Sequence, residues 1–235
     1  VIDMTEIKGN QLIIEVLKRE GVRYLFGNPG ATEVPWLDLL PEHPELQYIL
    51  ALHEDIALAM ADGYAQASGQ VGVATVHSTP GTAHALGNLF NAHIASSPLV
   101  VLVGQVHSGL LIREPFLGSN LLQMTQQYVK WCYQVSRVDE MALALHRAFK
   151  VASDPPTGPT LVVVPMELHD EVTDSALPAF DRSKLARVVA PDEAAIQRAA
   201  ELLAAAERPA LVCGPGAMRS GAVPQVRELA ERLAL

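Results

Sequence analysis

Positive charge is scarce in this chain of 235 residues: 17 Lys and Arg stand against 26 Asp and Glu, a formal −9, and no basic block occurs anywhere. Nucleic acid or an anionic membrane surface finds nothing to hold, and neither is expected as a partner. Long apolar runs are lacking too. The longest, PLVVLV at 98–103, falls far short of the roughly 20 residues that cross a bilayer. The opening VIDMTEIKGN has no basic stretch followed by an apolar one, so no secretory signal is expected there. Cysteine is limited to Cys132 and Cys213, far apart in apolar runs. That predicts buried free thiols in a reducing cytoplasm, not a disulfide framework. Familiar catalytic signatures are also missing. There is no GxxxxGK[ST] and no GxSxG, and the HExxH that His53 and Glu54 begin fails at Ala57.

What is present is apolar and alternating. Hydrophobic residues make up 49% of the chain, enough for a substantial core. Strand-like runs at 22–26, 46–50, 71–76, 98–103, 128–135 and 160–165 are separated by helical patterns near 7–20, 34–40, 54–68, 80–93 and 139–153. Continuous apolar strands between helices predict a doubly wound α/β fold with a mainly parallel sheet and helices on both faces. The polar run 166–192, with Pro178 and Pro191, reads as a surface linker. Residues 193–235 then read as helix, strand (ALVCG, 210–214), glycine-rich turn and helix. This is the pattern of a truncated start of a second α/β domain, because its lone strand has no parallel partner. GPGAMRSG at 214–221 fits an ordinary turn better than a phosphate loop.

Three loops follow the first three strands: GNPGATEVPW (27–36), HEDIALAMADGYA (53–65) and HSTPGTAHALGN (77–88). In an open parallel sheet, ligands bind at the carboxyl ends of strands, so Gly30, Glu54 and His77 should share one rim. Glu33 opens the helix after the first strand. In the second loop Ile56, Ala59, Met60, Gly63 and Tyr64 fall at helical spacing as a candidate apolar face. The crowding of His53, Glu54 and Asp55 at its start allows two readings. Acids in a first turn complement the helix dipole; alternatively, one carboxylate is held in a nearly apolar place for chemistry. His77 alone allows a structural histidine or an acid–base group.

In this order, GNPGATEVPWL, ALHEDIALAMADGYAQASG, HSTPGTAHALGN and PLVVLVGQ resemble the pyrimidine-binding domain of thiamine-diphosphate enzymes. Benzoylformate decarboxylase is the nearest branch and the acetolactate synthases lie close behind. The resemblance covers residues 7–165, and the segment 193–235 resembles the start of that family's central domain. It implies a pyrimidine-binding domain at 1–170, a linker at 171–192 and a central-domain start at 193–235. It also implies that Asn28, Pro29, Gly30 and Glu54 meet the cofactor. There Glu54 hydrogen-bonds the aminopyrimidine N1′, so that the ring's imino nitrogen can remove the thiazolium C2 proton.

The same resemblance makes His77 a proton-transfer group of a 2-oxo acid decarboxylase, since acetolactate synthases lack a histidine at that place. Ala31, Phe116 and Leu117 fall at substrate-pocket positions. The family's diphosphate-and-metal motif, GDG followed by paired asparagines, is not found in 1–235. Thiamine diphosphate and Mg²⁺ are therefore implied cofactors whose diphosphate and metal site lies outside this chain, in a homo-oligomer of two or four subunits. Two residues depart from the pattern. Ala31 replaces a serine that grips the substrate carboxylate, which argues against benzoylformate itself, and His84 stands where asparagine is usual. An acetolactate-synthase-type carboligase and a non-catalytic pyrimidine-domain module are the alternatives.

Overall fold

A computed structural model describes residues 6–174 and 190–233, and the chain divides into two compact units, Val1–Asp181 and Arg182–Leu235. The first unit opens with β1 (Ile7–Lys8) and α1 (Gly9–Arg19). It continues through β2 (Tyr24–Asn28), α2 (Val34–Leu37), β3 (Gln47–Leu50), α3 (Glu54–Ser68), β4 (Gly72–Val76), α4 (Ser78–Ile94) and β5 (Leu99–Gln105). Then come α5 (Leu121–Thr125), β6 (Trp131–Gln134), α6 (Val138–Ser153), β7 (Thr160–Pro165) and β8 (Val172–Thr173). Six strands form one parallel sheet in the order β3-β2-β4-β5-β7-β6.

Alternation along each strand sorts the core into two layers. Leu25, Val73, Val100, Leu102 and Val162 pack against α1 and α6 on one face. Phe26, Ala74, Leu99, Val101, Val103, Leu161 and Val163 pack against α3, α4 and α5 on the other. Both faces are covered, which is why these strands read as unbroken apolar runs. The expected doubly wound α/β fold is the observed one.

Some expectations need correction. The polar run expected to leave as a linker at 166 stays folded: Met166–His169 forms a 3₁₀ turn with Leu168 and His169 buried, and Val172–Thr173 pairs antiparallel with β1. Pairing with the first strand ties this segment down despite its polarity. The rest of that linker, 175–189, lies outside the described residues. In α3 the buried stripe is Ala57, Leu58, Ala61 and Ala65, whereas Ile56, Ala59 and Gly63 are exposed and Met60 and Tyr64 pack at its margin. Alanines permit a close approach to the sheet and α4, so Ala57, Ala61 and Ala65 face inward beside Leu58 while Ile56 faces out.

The second unit contains α7 (Glu193–Ala205), α8 (Pro215–Arg219) and α9 (Val223–Arg232). The strand expected at 210–214 is not formed, and none of residues 190–233 is buried. A strand needs a neighbour to take its N–H and C=O groups, and none is described beside this one. The expected burial of both thiols fails: Cys213 lies in this unformed strand and is exposed, and Cys132 is half-buried on the edge strand β6, both free. Among the described residues no helix is long and apolar enough to cross a membrane.

Candidate active site

The chain runs from β2 outward to β3, then crosses back to place β4 on the other side of β2. That reversal makes a crevice at the carboxyl ends of β2 and β4, the usual ligand position in an open α/β sheet. The loops after these strands carry Asn28–Glu33 and His77, and the loop after β3 delivers Glu54 at the start of α3. The three loops picked out by sequence thus meet.

His53, Glu54 and Asp55 divide the work of their helix end. His53 is the N-cap and its Nδ1 accepts from Asp55 N at 3.3 Å. Asp55 turns toward α4: its Oδ1 accepts from Asn88 N at 2.9 Å, and its carbonyl accepts from Asn88 Nδ2 at 3.0 Å. Glu54 is 7% exposed and points at neither role. Its Oε1 accepts from Asn28 Nδ2 at 3.1 Å, and its Oε2 lies 3.0 Å from His84 Nδ1. Burial pushes its pKa up, but the bonds from His84, its own backbone and Asn28 outweigh it and leave the carboxyl below its ordinary pKa. A carboxylate offers about four lone-pair sites, so Glu54 keeps acceptor capacity for a further donor.

His77 sits at the other side of the crevice. Its Nδ1 lies 3.0 Å from Glu33 Oε2 and 3.1 Å from Thr32 Oγ1. Glu33 is 1% exposed and also accepts from Gly30 N at 2.9 Å, Thr32 Oγ1 at 2.6 Å and Gly104 N at 2.9 Å. Glu33 is an acceptor throughout, so the proton of a neutral His77 resides on Nδ1 and Nε2 is the other ring nitrogen. The hydrogen bond to Glu33 raises the His77 pKa, and the Glu33 and Glu54 charges add to it against the opposing effect of burial. Gly30 is needed here: a Cβ at this position would clash with the His77 ring. Thr32 is fixed from behind by buried His169, whose Nε2 donates to the Thr32 carbonyl at 3.1 Å.

The remaining expected positions spread around this rim. Pro29 and Ala31 are exposed in the β2 loop. The Leu117 carbonyl accepts from Ser78 Oγ at 2.6 Å and Thr79 Oγ1 at 2.7 Å, so its loop is pinned to the start of α4. Phe116 is 98% exposed among the described residues. Sequence reasoning missed Glu33 as the partner of His77, and His84 as the partner of Glu54. An acid in the β2 loop, opposite a histidine ending the adjacent strand β4, was the available signal.

Residues 7–130 match the family described as thiamine pyrophosphate enzyme, N-terminal TPP binding domain, and residues 196–235 match thiamine pyrophosphate enzyme, central domain. The chain belongs to the thiamine pyrophosphate enzyme family. It is 32% identical over 220 residues to benzoylformate decarboxylase of Pseudomonas aeruginosa, covering 93% of this chain and 41% of that protein. It is equally 32% identical, over 229 residues, to a probable acetolactate synthase large subunit of Methanocaldococcus jannaschii, covering 96% of this chain and 39% of the relative. A crystal structure of a putative thiamin diphosphate-dependent enzyme from Mycobacterium smegmatis superposes with a TM-score of 0.87 at 34% identity, over 97% of this chain and 43% of that one. The chain therefore spans less than half the length of these thiamine pyrophosphate enzymes.

Glu54 fits the family's cofactor. A buried carboxylate with spare acceptor sites suits a ring nitrogen that must bind a proton. Gly81 keeps the space beside it open, since a Cβ there would press on the Glu54 side chain at 3.2 Å.

Proposed function

We propose that this chain is the N-terminal part of a thiamine-diphosphate-dependent, non-oxidative 2-oxo acid decarboxylase. Residues 1–170, together with the strand Val172–Thr173 that pairs with β1, would be the pyrimidine-binding domain, and 193–235 the start of the central domain. When bound, thiamine diphosphate supplies a carbon nucleophile and an electron sink for losing CO₂ from a 2-oxo acid. Glu54 holds the aminopyrimidine N1′ through a charge-assisted hydrogen bond, with Asn28 fixing the carboxylate's orientation. Asn28, Pro29 and Gly30 form the wall beside the ring, and Ala31, Phe116 and Leu117 border the substrate. Diphosphate and Mg²⁺ are held by residues outside 1–235.

The observation that carries the decarboxylase reading is His77 with its buried Glu33 partner. A protonated carbon must form before an aldehyde leaves, and an imidazole with a raised pKa and Nε2 not taken up by Glu33 is suited to deliver that proton. The exposed apolar side chains Leu52, Ile56, Phe90, Ile94 and Phe116 support assembly with another subunit, which would close the open side of the crevice.

His77→Ala in the holoenzyme tests this. Turnover of 2-oxo acids to aldehyde should fall by roughly 10²–10⁴, the loss expected of a positioned acid–base group, with cofactor affinity little changed. Equal identity to an acetolactate synthase relative keeps an acetolactate-synthase-type carboligase as the second reading, whereas Ala31, whose methyl group cannot donate to a substrate carboxylate, argues only against benzoylformate itself. If the unaltered holoenzyme forms 2-hydroxy-2-alkyl-3-oxo acids and no aldehyde, that reading replaces the first. Absence of both products would leave a non-catalytic module.

A further inference from the structure

His53, Glu54 and His84 each place one ligand atom within 4.8 Å of the others. His53 and Glu54 are consecutive at the start of α3, and His84 reaches them from α4, so two packed helices bring the three together. The imidazoles of His53 and His84 stack, with centroids 4.8 Å apart and planes at 24°. His84 Nδ1 and Glu54 Oε2 are already 3.0 Å apart. His53 Nδ1 serves the helix cap, which leaves its Nε2 as the ligand atom. Asp55 is committed to Asn88 at 2.9 Å and is not a ligand.

We propose that His53, Glu54 and His84 form a binding site for a divalent transition ion of the zinc class. Donors about 2.0–2.2 Å from a tetrahedral zinc lie about 3.3–3.5 Å from one another. The His84–Glu54 pair at 3.0 Å is a few tenths of an ångström short of that spacing, and a turn of the exposed His84 and His53 rings would open it and bring in the third donor. Two imidazole nitrogens and one carboxylate select zinc, cobalt, nickel or copper over magnesium and calcium, which take oxygen ligands. Three protein donors leave the fourth position to water. Glu54 is the shared residue: an ion on its Oε2 takes the acceptor that the cofactor ring would use. This last consequence rests on the proposed function; the metal site does not.

Calorimetric titration of the 235-residue chain with zinc chloride, without cofactor, tests the site, with cobalt(II) absorption reporting coordination. One site of about micromolar Kd is expected, with an intense tetrahedral cobalt spectrum. His84→Asn and His53→Asn should each weaken binding by about tenfold or more; asparagine keeps the helix cap while removing the imidazole. His107→Asn, at the His107–Glu167 pair 4.0 Å apart elsewhere, should change nothing. Binding unchanged within about twofold in both asparagine variants, or absent up to about 1 mM zinc, overturns the proposal. In the holoenzyme, thiamine diphosphate should raise the apparent zinc Kd. If zinc binding keeps its sensitivity to His53 and His84 but ignores the cofactor, the metal site stands and the cofactor's placement at Glu54 fails.

Discussion

Glu33 accepts from four donors, one of them the His77 ring, and has no exposed edge through which water could substitute. Glu33→Gln replaces one acceptor oxygen with an amide donor and strands at least one of these partners, at a cost on the order of 3 kcal/mol. The variant should lower Tm in thermal unfolding, and the His77 titration followed by NMR at its ring Cε1–H should move down toward 6.5, its ordinary value. A His77 midpoint unchanged by the substitution would contradict the pairing. The sign of the pH dependence follows. His77 has a folded pKa above its unfolded one, so its stabilisation is complete below about pH 6.5 and fades as pH rises through the folded pKa. Glu54 is the reverse case: lowered in the fold, it stabilises above its ordinary 4.5 and loses that contribution as pH falls through the folded value.

At the scale of elements, α6 makes the simplest test of which faces are buried. Leu145 is fully buried against α1 and the sheet, whereas Leu143 is 61% exposed on the same helix. Leu145→Ala should cost about 2–5 kcal/mol in denaturant unfolding and Leu143→Ala about 0.5 kcal/mol or less. Equal effects would contradict the helix orientation. The inner strands β2, β4, β5 and β7 were legible because they are largely buried on both faces and so apolar. The half-exposed edge strands β3 and β6 were legible as short apolar and aromatic runs between helical patterns. The α3 face was not, because packing distance chose alanines over Ile56. ALVCG at 210–214 has the right residues for a strand and lacks a described neighbour, and sequence alone does not reveal a missing partner. Glu54 and His77 could be read from loop positions at strand ends. His84 could not be paired with Glu54, 30 positions away, and Glu33 could be paired with His77, 44 positions away, only through the adjacency of β2 and β4.

At the scale of the whole molecule, the crevice is a wall with one open side. An open surface does not bury most of a ligand, so calorimetry on the 235-residue chain alone should give thiamine diphosphate a Kd no tighter than about millimolar. Micromolar, magnesium-dependent binding would mean that the diphosphate site lies within this chain after all. The central claim is that Glu54 holds the pyrimidine nitrogen of the cofactor, and exchange of the C2 proton of bound thiamine diphosphate in the holoenzyme reads it most directly. Glu54→Gln keeps a hydrogen-bonding side chain but loses the charge that stabilises a protonated N1′. The account predicts C2–H exchange slowed by about 10²-fold or more with the fold intact. An exchange rate within about threefold of the unaltered enzyme would contradict it.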